Sequence, residues 1–195
     1  MTSKSIDYPY KIILASASPR RVELLKVLGF DFSVIIPDVD ELLPDNIPVE
    51  KAAEFLALQK SNAVAAHLPD DETMIITADT IVVQNNTILP KPADYNEACK
   101  ILKRLSGSEH KVITGVCLKS LKKSLSFSSC SKVWFNELSP DTIDFYVTNY
   151  QPYDKAGAYG IQEWIGYIGI QKIEGSFYNV MGLPTQQLYD EMMKF

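Results

Sequence analysis

The sequence predicts an α/β chain of alternating strands and helices, and three observations point there. A short apolar run, residues 11–14, is followed at once by a helical segment, residues 22–28. Residues 74–83 are β-branched on both sides of Asp79, as a central strand covered on both faces should be. Residues 110–118 and 124–135 read as strands joined at 119–123, an antiparallel hairpin.

The first strand and helix enclose Ser16, Ala17, Ser18, Pro19, Arg20 and Arg21. Ser18 is placed as an N-cap, Pro19 at the first helical position and Gly29 just past the helix end. Cations are unfavourable at a helix N-terminus, so two adjacent arginines there need a reason. A bound anion supplies one. Free amides, the hydroxyl residues and two guanidinium forks make a phosphate site. A solvated first turn is the plainer alternative.

Residues 30–36 form the next expected strand, closed by Pro37. Asp38, Asp40 and Glu41 follow, either as oxygen ligands for a divalent cation or as an acidic surface loop. A helix is expected from Pro48 to about His67, with Val49, Ala52, Ala53, Leu56, Ala57, Ala63 and Val64 as its buried stripe. Lys60 lies on that stripe. Its ammonium either snorkels to the edge of the core or reaches a pocket.

Asp79 is the most informative single residue. A carboxylate in a buried apolar run answers a fixed cation, does chemistry at a cleft, or is satisfied by backbone amides. A turn at 84–87 and a short return strand follow. Pro90 and Pro92 then fix the backbone around Lys91, which suits either anion binding or a rigid surface turn. Asp94 and Glu97 form a capping box for a helix with Ala98, Ile101, Leu102 and Leu105 inward. His110 is read as structural.

Ser139 and Pro140 repeat the cap signal for a helix to about Tyr150, burying Ile143, Tyr146, Val147 and Tyr150. Lys155 to Gln162 is rich in glycine and alanine, which permits close approach of a ligand to the backbone. Residues 165–173 are expected as the last long strand. Gly175 and Ser176 turn the chain, and a final helix ends near Lys194.

The chain has 195 residues, 46% hydrophobic and 22% charged, the balance of an ordinary globular protein of one domain or two small lobes. A net charge of −5 argues against a nucleic-acid polymer as partner. Three cysteines without a C-x-x-C pair give neither a disulfide framework nor a zinc signature, so a cytoplasmic location is expected. Residues 1–10 carry Lys4 and Asp7 but no apolar core of a signal peptide, and no run is long enough to span a membrane. No Walker A or G-x-G-x-x-G pattern is present. Ile81 stands where a haloacid-dehalogenase pattern needs a second aspartate.

Several blocks in one order resemble the Maf nucleoside triphosphate pyrophosphatases. They are Ala15 to Leu25, Ala78-Asp79-Thr80-Ile81-Val82, Lys91-Pro92, Leu105-Ser106-Gly107, Thr114-Gly115-Val116, Lys155 to Gln162 and Gly182-Leu183-Pro184. The resemblance implies one domain over residues 1–195, a mixed twisted β-sheet with flanking helices and two lobes around a central cleft. It implies hydrolysis between the α and β phosphates, a divalent cation (Mg²⁺ or Mn²⁺), and a homodimer. Asp79 takes the place of the catalytic base. Ser16, Arg20, Arg21, Lys60 and Lys91 are the expected phosphate contacts, with Glu41 and Asp79 on the metal. Arg20, Thr80 and Gln162 match the branch acting on dTTP and UTP, where the 7-methyl-GTP branch has Trp, Gln and Glu. Ala17 and Pro90 depart from the commoner residues of the family. The family was first linked to inhibition of septum formation. A nucleotide-sensing or division-regulating protein that binds without turnover, served by the same cationic cleft, is the alternative.

Overall fold

The computed structural model describes residues 6–44 and 46–195. The reading of Lys4 within the N-terminus lies outside the described residues. β1 (Lys11–Ala15) buries Ile12, Ile13, Leu14 and Ala15 in succession, as a strand covered on both faces must. It pairs in parallel with β2 (Phe32–Ile35) and with β3 (Thr73–Gln84), in a register that sets Ile13 opposite Ser33 and Ile75. β4 (Thr87–Leu89) returns antiparallel to β3 through Asn85 and Asn86. Both asparagines have positive φ, 49° and 57°, the backbone of a tight two-residue hairpin turn. β5 (Glu109–Lys119) and β6 (Ser124–Phe135) are neighbours joined by a turn in which Ser120 N–H donates to the Lys123 carbonyl at 2.9 Å. β7 (Ile170–Glu174) is antiparallel to β6. The seven-stranded sheet has the order β2-β1-β3-β5-β6-β7, with β4 beside β3, so the fold is mixed α/β.

The helices are α1 (Pro19–Val27), α2 (Val49–Val64), α3 (Tyr95–Leu105), α4 (Pro140–Tyr150), α5 (Trp164–Gly169), α6 (Phe177–Met181) and α7 (Thr185–Lys194). Ser18 stands at the N-cap of α1, Pro19 at its first position, and Gly29 past its end with φ +83°. The capping hydroxyl bond does not form. Instead the Ser18 N–H donates to Ser16 Oγ at 3.1 Å, which tightens the turn before the helix. The capping box of α3 forms with a one-residue shift: Asp94 Oδ1 accepts from Glu97 N–H at 2.9 Å, and Glu97 Oε2 accepts from Ala93 N–H at 2.8 Å.

The chain divides into two compact units. The first comprises the chain up to Asp79, Thr114–Ser129 and Gly182–Phe195; the second comprises Thr80–Ile113 and Cys130–Met181. In the first, α2 lies so close to β5 that a Cβ on Gly115 would collide with the backbone of Ala53 and Glu54. That contact explains the glycine of the Thr114-Gly115-Val116 block. In the second, Leu102 and Leu105 of α3, Tyr146 and Val147 of α4, and Ile165 form one core.

Three expectations are corrected. Residues 165–173 are not one strand: α5 occupies 164–169 and only β7 is extended. The β-branched and aromatic residues Ile165, Tyr167, Ile168 and Ile170 mimic a strand by composition. The chain instead coils because Gly166 N–H donates to the Glu163 carbonyl at 2.8 Å, and Gly166 lies against the Ile161 carbonyl where no side chain fits. Ala63 is exposed rather than part of the α2 stripe, and Tyr150 is exposed at the end of α4. The short α6 was not signalled by any periodicity.

Candidate active site

In β3, Thr77 and Asp79 are two residues apart and so share a face. In α2, Ala57 and Lys60 are one turn apart. The two pairs meet. Thr77 Oγ1 donates to the Ala57 carbonyl at 2.7 Å, and Lys60 Nζ donates to Asp79 Oδ1 at 2.5 Å. The hydroxyl bond sets the height of the helix on the strand, and the ion pair forms beyond it. Lys60 also lies 2.7 Å from Glu41 Oε1, in the loop after β2. Lys60 and Asp79 side chains are each 9% exposed and Glu41 is 39% exposed, so the cluster is closed at one end and open at the other.

This geometry decides between the readings left open above. Lys60 pairs inside the fold rather than snorkelling outward. Asp79 answers a fixed cation rather than backbone amides. Of the three clustered carboxylates after β2, Glu41 reaches Lys60, while Asp38 and Asp40 are exposed in the loop.

The turn from β1 into α1 brings the arginines to the same charges. Ser16 is buried, and its N–H donates to the Ile35 carbonyl at 3.0 Å, which ties the turn to the end of β2. Arg21 Nε donates to the Gly182 carbonyl at 2.8 Å, so the loop before α7 holds the guanidinium in place. Burial pulls the Arg21 pKa down, Asp79 pushes it back up, Arg20 lowers it and Glu41 raises it. Arginine remains charged through such shifts. Arg20, Arg21 and Lys60 therefore set three cations against the carboxylates of Asp79 and Glu41, within one electrostatic neighbourhood.

Thr80, Lys91 and Gln162 belong to the second unit. Thr80 is half-exposed, and Lys91 is exposed next to a buried Pro92. Gln162 Oε1 is buried and accepts no hydrogen bond from the described residues. The loop that carries it is held by residues the sequence did not flag as a group. Lys155 lies 2.7 Å from Asp154 Oδ1 and 3.1 Å from Glu163 Oε1, and Tyr146 donates its hydroxyl to Glu163 Oε2. Tyr146 looked like ordinary core from its helical spacing, and nothing in sequence tied it to Glu163. The Gly182 carbonyl was also missed, although the Gly182-Leu183-Pro184 block pointed to its loop.

Among the described residues, no group of three or more His, Cys, Asp or Glu is placed to hold a metal ion. Glu41 and Asp79 nevertheless present carboxylate oxygens to one and the same ammonium, and Mg²⁺ typically takes only one or two carboxylates along with substrate phosphates. The donor set fits such an ion. Neither of two surface cavities is lined by Lys60, Asp79, Glu41 or the arginines: one of about 580 Å³ lies at Tyr8, Tyr10 and Phe30, and one of about 460 Å³ is bordered by Gln162, Ile170 and Phe177. No helix of the described residues is long and apolar enough to cross a membrane.

Residues 11–195 match the family described as Maf-like protein. The chain is 50% identical over 188 residues to the dTTP/UTP pyrophosphatase of Porphyromonas gingivalis strain W83, covering 95% of this chain and 94% of that one. It is 50% identical over 187 residues to the dTTP/UTP pyrophosphatase of Parabacteroides distasonis, covering 95% and 96%. With that of Flavobacterium johnsoniae the identity is 45% over 181 residues, covering 93% of each. Among solved structures, the Staphylococcus aureus Ham1 protein is similar at a TM-score of 0.48 and 17% identity, covering 93% of this chain and 99% of that one. Matched along nearly its whole length, the chain belongs to the Maf family.

Proposed function

We propose that this protein hydrolyses dTTP and UTP between the α and β phosphates, releasing the nucleoside monophosphate and pyrophosphate. The observation that carries the chemistry is the buried Lys60–Asp79 pair with Glu41 at its open end and two arginines in the same field. The substrate follows from relatives of about 50% identity that bear the name dTTP/UTP pyrophosphatase.

A triphosphate brings several negative charges that must be neutralised before water can attack. Arg20 and Arg21, at the N-terminus of α1 with Ser16 beside them, take phosphate oxygens, and the family resemblance alone supports Lys91 as a further phosphate contact. Asp79 accepts the proton of the attacking water, and Lys60 holds the carboxylate in one position while it does so. Glu41 and Asp79 would hold a divalent cation, which when bound neutralises phosphate charge and acidifies water. Gln162 offers an acceptor to the N3–H of uracil or thymine, and the match of Arg20, Thr80 and Gln162 to the dTTP/UTP branch supports selection of the pyrimidine. The family match over residues 11–195 supports one catalytic domain. The free Cys99, Cys117 and Cys130 suit action on the cytoplasmic nucleotide pool, and the family resemblance supports a homodimer.

A panel of nucleoside triphosphates with Mg²⁺ or Mn²⁺, assayed separately for pyrophosphate and phosphate, tests the proposal. Pyrophosphate from dTTP and UTP supports it. Pyrophosphate chiefly from 7-methyl-GTP would keep the reaction and reject the roles of Arg20, Thr80 and Gln162. Tight binding without product would leave a nucleotide-sensing protein.

A further inference from the structure

The loop carrying Gln162 is fixed from both sides. Gly157 and Ala158 have consecutive positive φ values, +72° and +59°, and Ala158 is fully buried. An alanine keeps that backbone only where its surroundings impose it. On one side, Lys155 is buried, and its ammonium bridges Asp154 and Glu163. On the other, Glu163 N–H donates to the Gly160 carbonyl at 3.0 Å, closing a turn around Ile161 and Gln162. Gly160 N–H donates to the Tyr146 hydroxyl at 3.0 Å, and that hydroxyl donates to Glu163 Oε2. Tyr146 is fully buried in α4. Burial, then the Glu163 bond, pushes its phenol well above the usual range, so it stays a donor.

Glu163 thus uses both oxygens: one on Lys155, one on Tyr146. A side chain on Gly160 would come within 2.6 Å of the Glu163 carboxyl, so the glycine lets this carboxylate fold back over the turn. Inside the bracket sits Gln162, with a buried Oε1 that accepts no hydrogen bond from the described residues. Leaving a buried acceptor without a donor is costly, which marks the atom as one a ligand donor would satisfy.

We propose that the Tyr146–Glu163–Lys155 chain positions Gln162 for pyrimidine recognition. These residues then set base selectivity without touching the nucleotide. This rests on the base-reading role given to Gln162 above. Thymine and uracil offer an N3–H to that acceptor; cytosine, with a bare N3, does not.

The test is a cycle of Glu163→Gln, Gln162→Ala and the double variant, with Tyr146→Phe as a second probe that removes only a hydroxyl. For each, KM and kcat are measured for dTTP and dCTP. Both KM and the selectivity ratio are independent of the fraction of protein that folds. Glu163→Gln and Tyr146→Phe are expected to raise KM for dTTP and lower the dTTP:dCTP preference by about tenfold, with little change in kcat. In the Gln162→Ala background, Glu163→Gln should then have no further effect on selectivity. If Gln162→Ala loses selectivity while Glu163→Gln and Tyr146→Phe keep it, the positioning role is overturned and base reading stands. Selectivity retained in Gln162→Ala overturns both. An equal loss from Glu163→Gln with and without Gln162 means another route, and the proposal fails.

Discussion

Lys60 Nζ lies 2.5 Å from Asp79 Oδ1, although the two residues sit on different elements and both are nearly closed off from solvent. A buried pair of this kind gives uncertain net stability, because two charges must be stripped of water to form it. Its position in the middle of a buried strand fits the chemical role proposed for the carboxylate.

Removing one partner should be worse than removing both. Lys60→Met leaves the Asp79 carboxylate buried without its ammonium, and Arg21 compensates only in part. A loss of about 3 kcal/mol is expected. In Lys60→Met/Asp79→Asn much of that loss should return, with turnover still absent. Urea denaturation of the four proteins measures this. A single variant as stable as the parent would show that the ion pair is not the fixed contact described.

Gly115 is where α2 meets β5. Gly115→Ala adds a methyl group where the Ala53 and Glu54 backbone already sits, so α2 must move away. Because Lys60 rides on α2, the shift reaches the ion pair. A destabilisation of about 1–3 kcal/mol and a clear drop in kcat are expected, read by thermal melts and steady-state assay. Unchanged activity would mean that the height of α2 does not control the site.

His110 makes stability depend on acidity. It is buried against Phe135 and shares a 2.7 Å hydrogen bond with the Tyr159 hydroxyl. Burial pushes its pKa down to about 4, from an ordinary 6.5. Above about pH 6.5 both folded and unfolded chains carry it neutral, and the fold keeps its full stability. As pH falls towards 4, the unfolded chain takes up a proton that the folded chain refuses. Roughly 3 kcal/mol is lost across that window. Denaturation at pH 7 and pH 4.5 should show a smaller pH loss in His110→Gln than in the parent; equal losses would contradict the buried neutral imidazole.

Much of the fold was legible because local chemistry agreed with it. The β-branched run at β3, the Ser139–Pro140 start of α4 and the Asp94–Glu97 box each report a local physical need. The error at residues 165–173 has the opposite origin: the helical turn at Gly166 depends on its contact with the Ile161 carbonyl, which no periodicity encodes. At the site, Asp79 was legible because a carboxylate in an apolar strand demands a partner. That the partner is Lys60 was not, since spacing places a lysine on a stripe but says nothing about a strand 19 residues away. Tyr146 and Glu163 were invisible as a pair for the same reason.

The most direct test of the whole account is turnover of dTTP by the parent and by Asp79→Asn, with pyrophosphate, phosphate and dTMP all measured. The account predicts equal dTMP and pyrophosphate from the parent, little free phosphate, and a folded variant slower by about 10²–10⁴-fold. Stepwise release of single phosphates, or near-parental turnover by a folded Asp79→Asn protein, would contradict it.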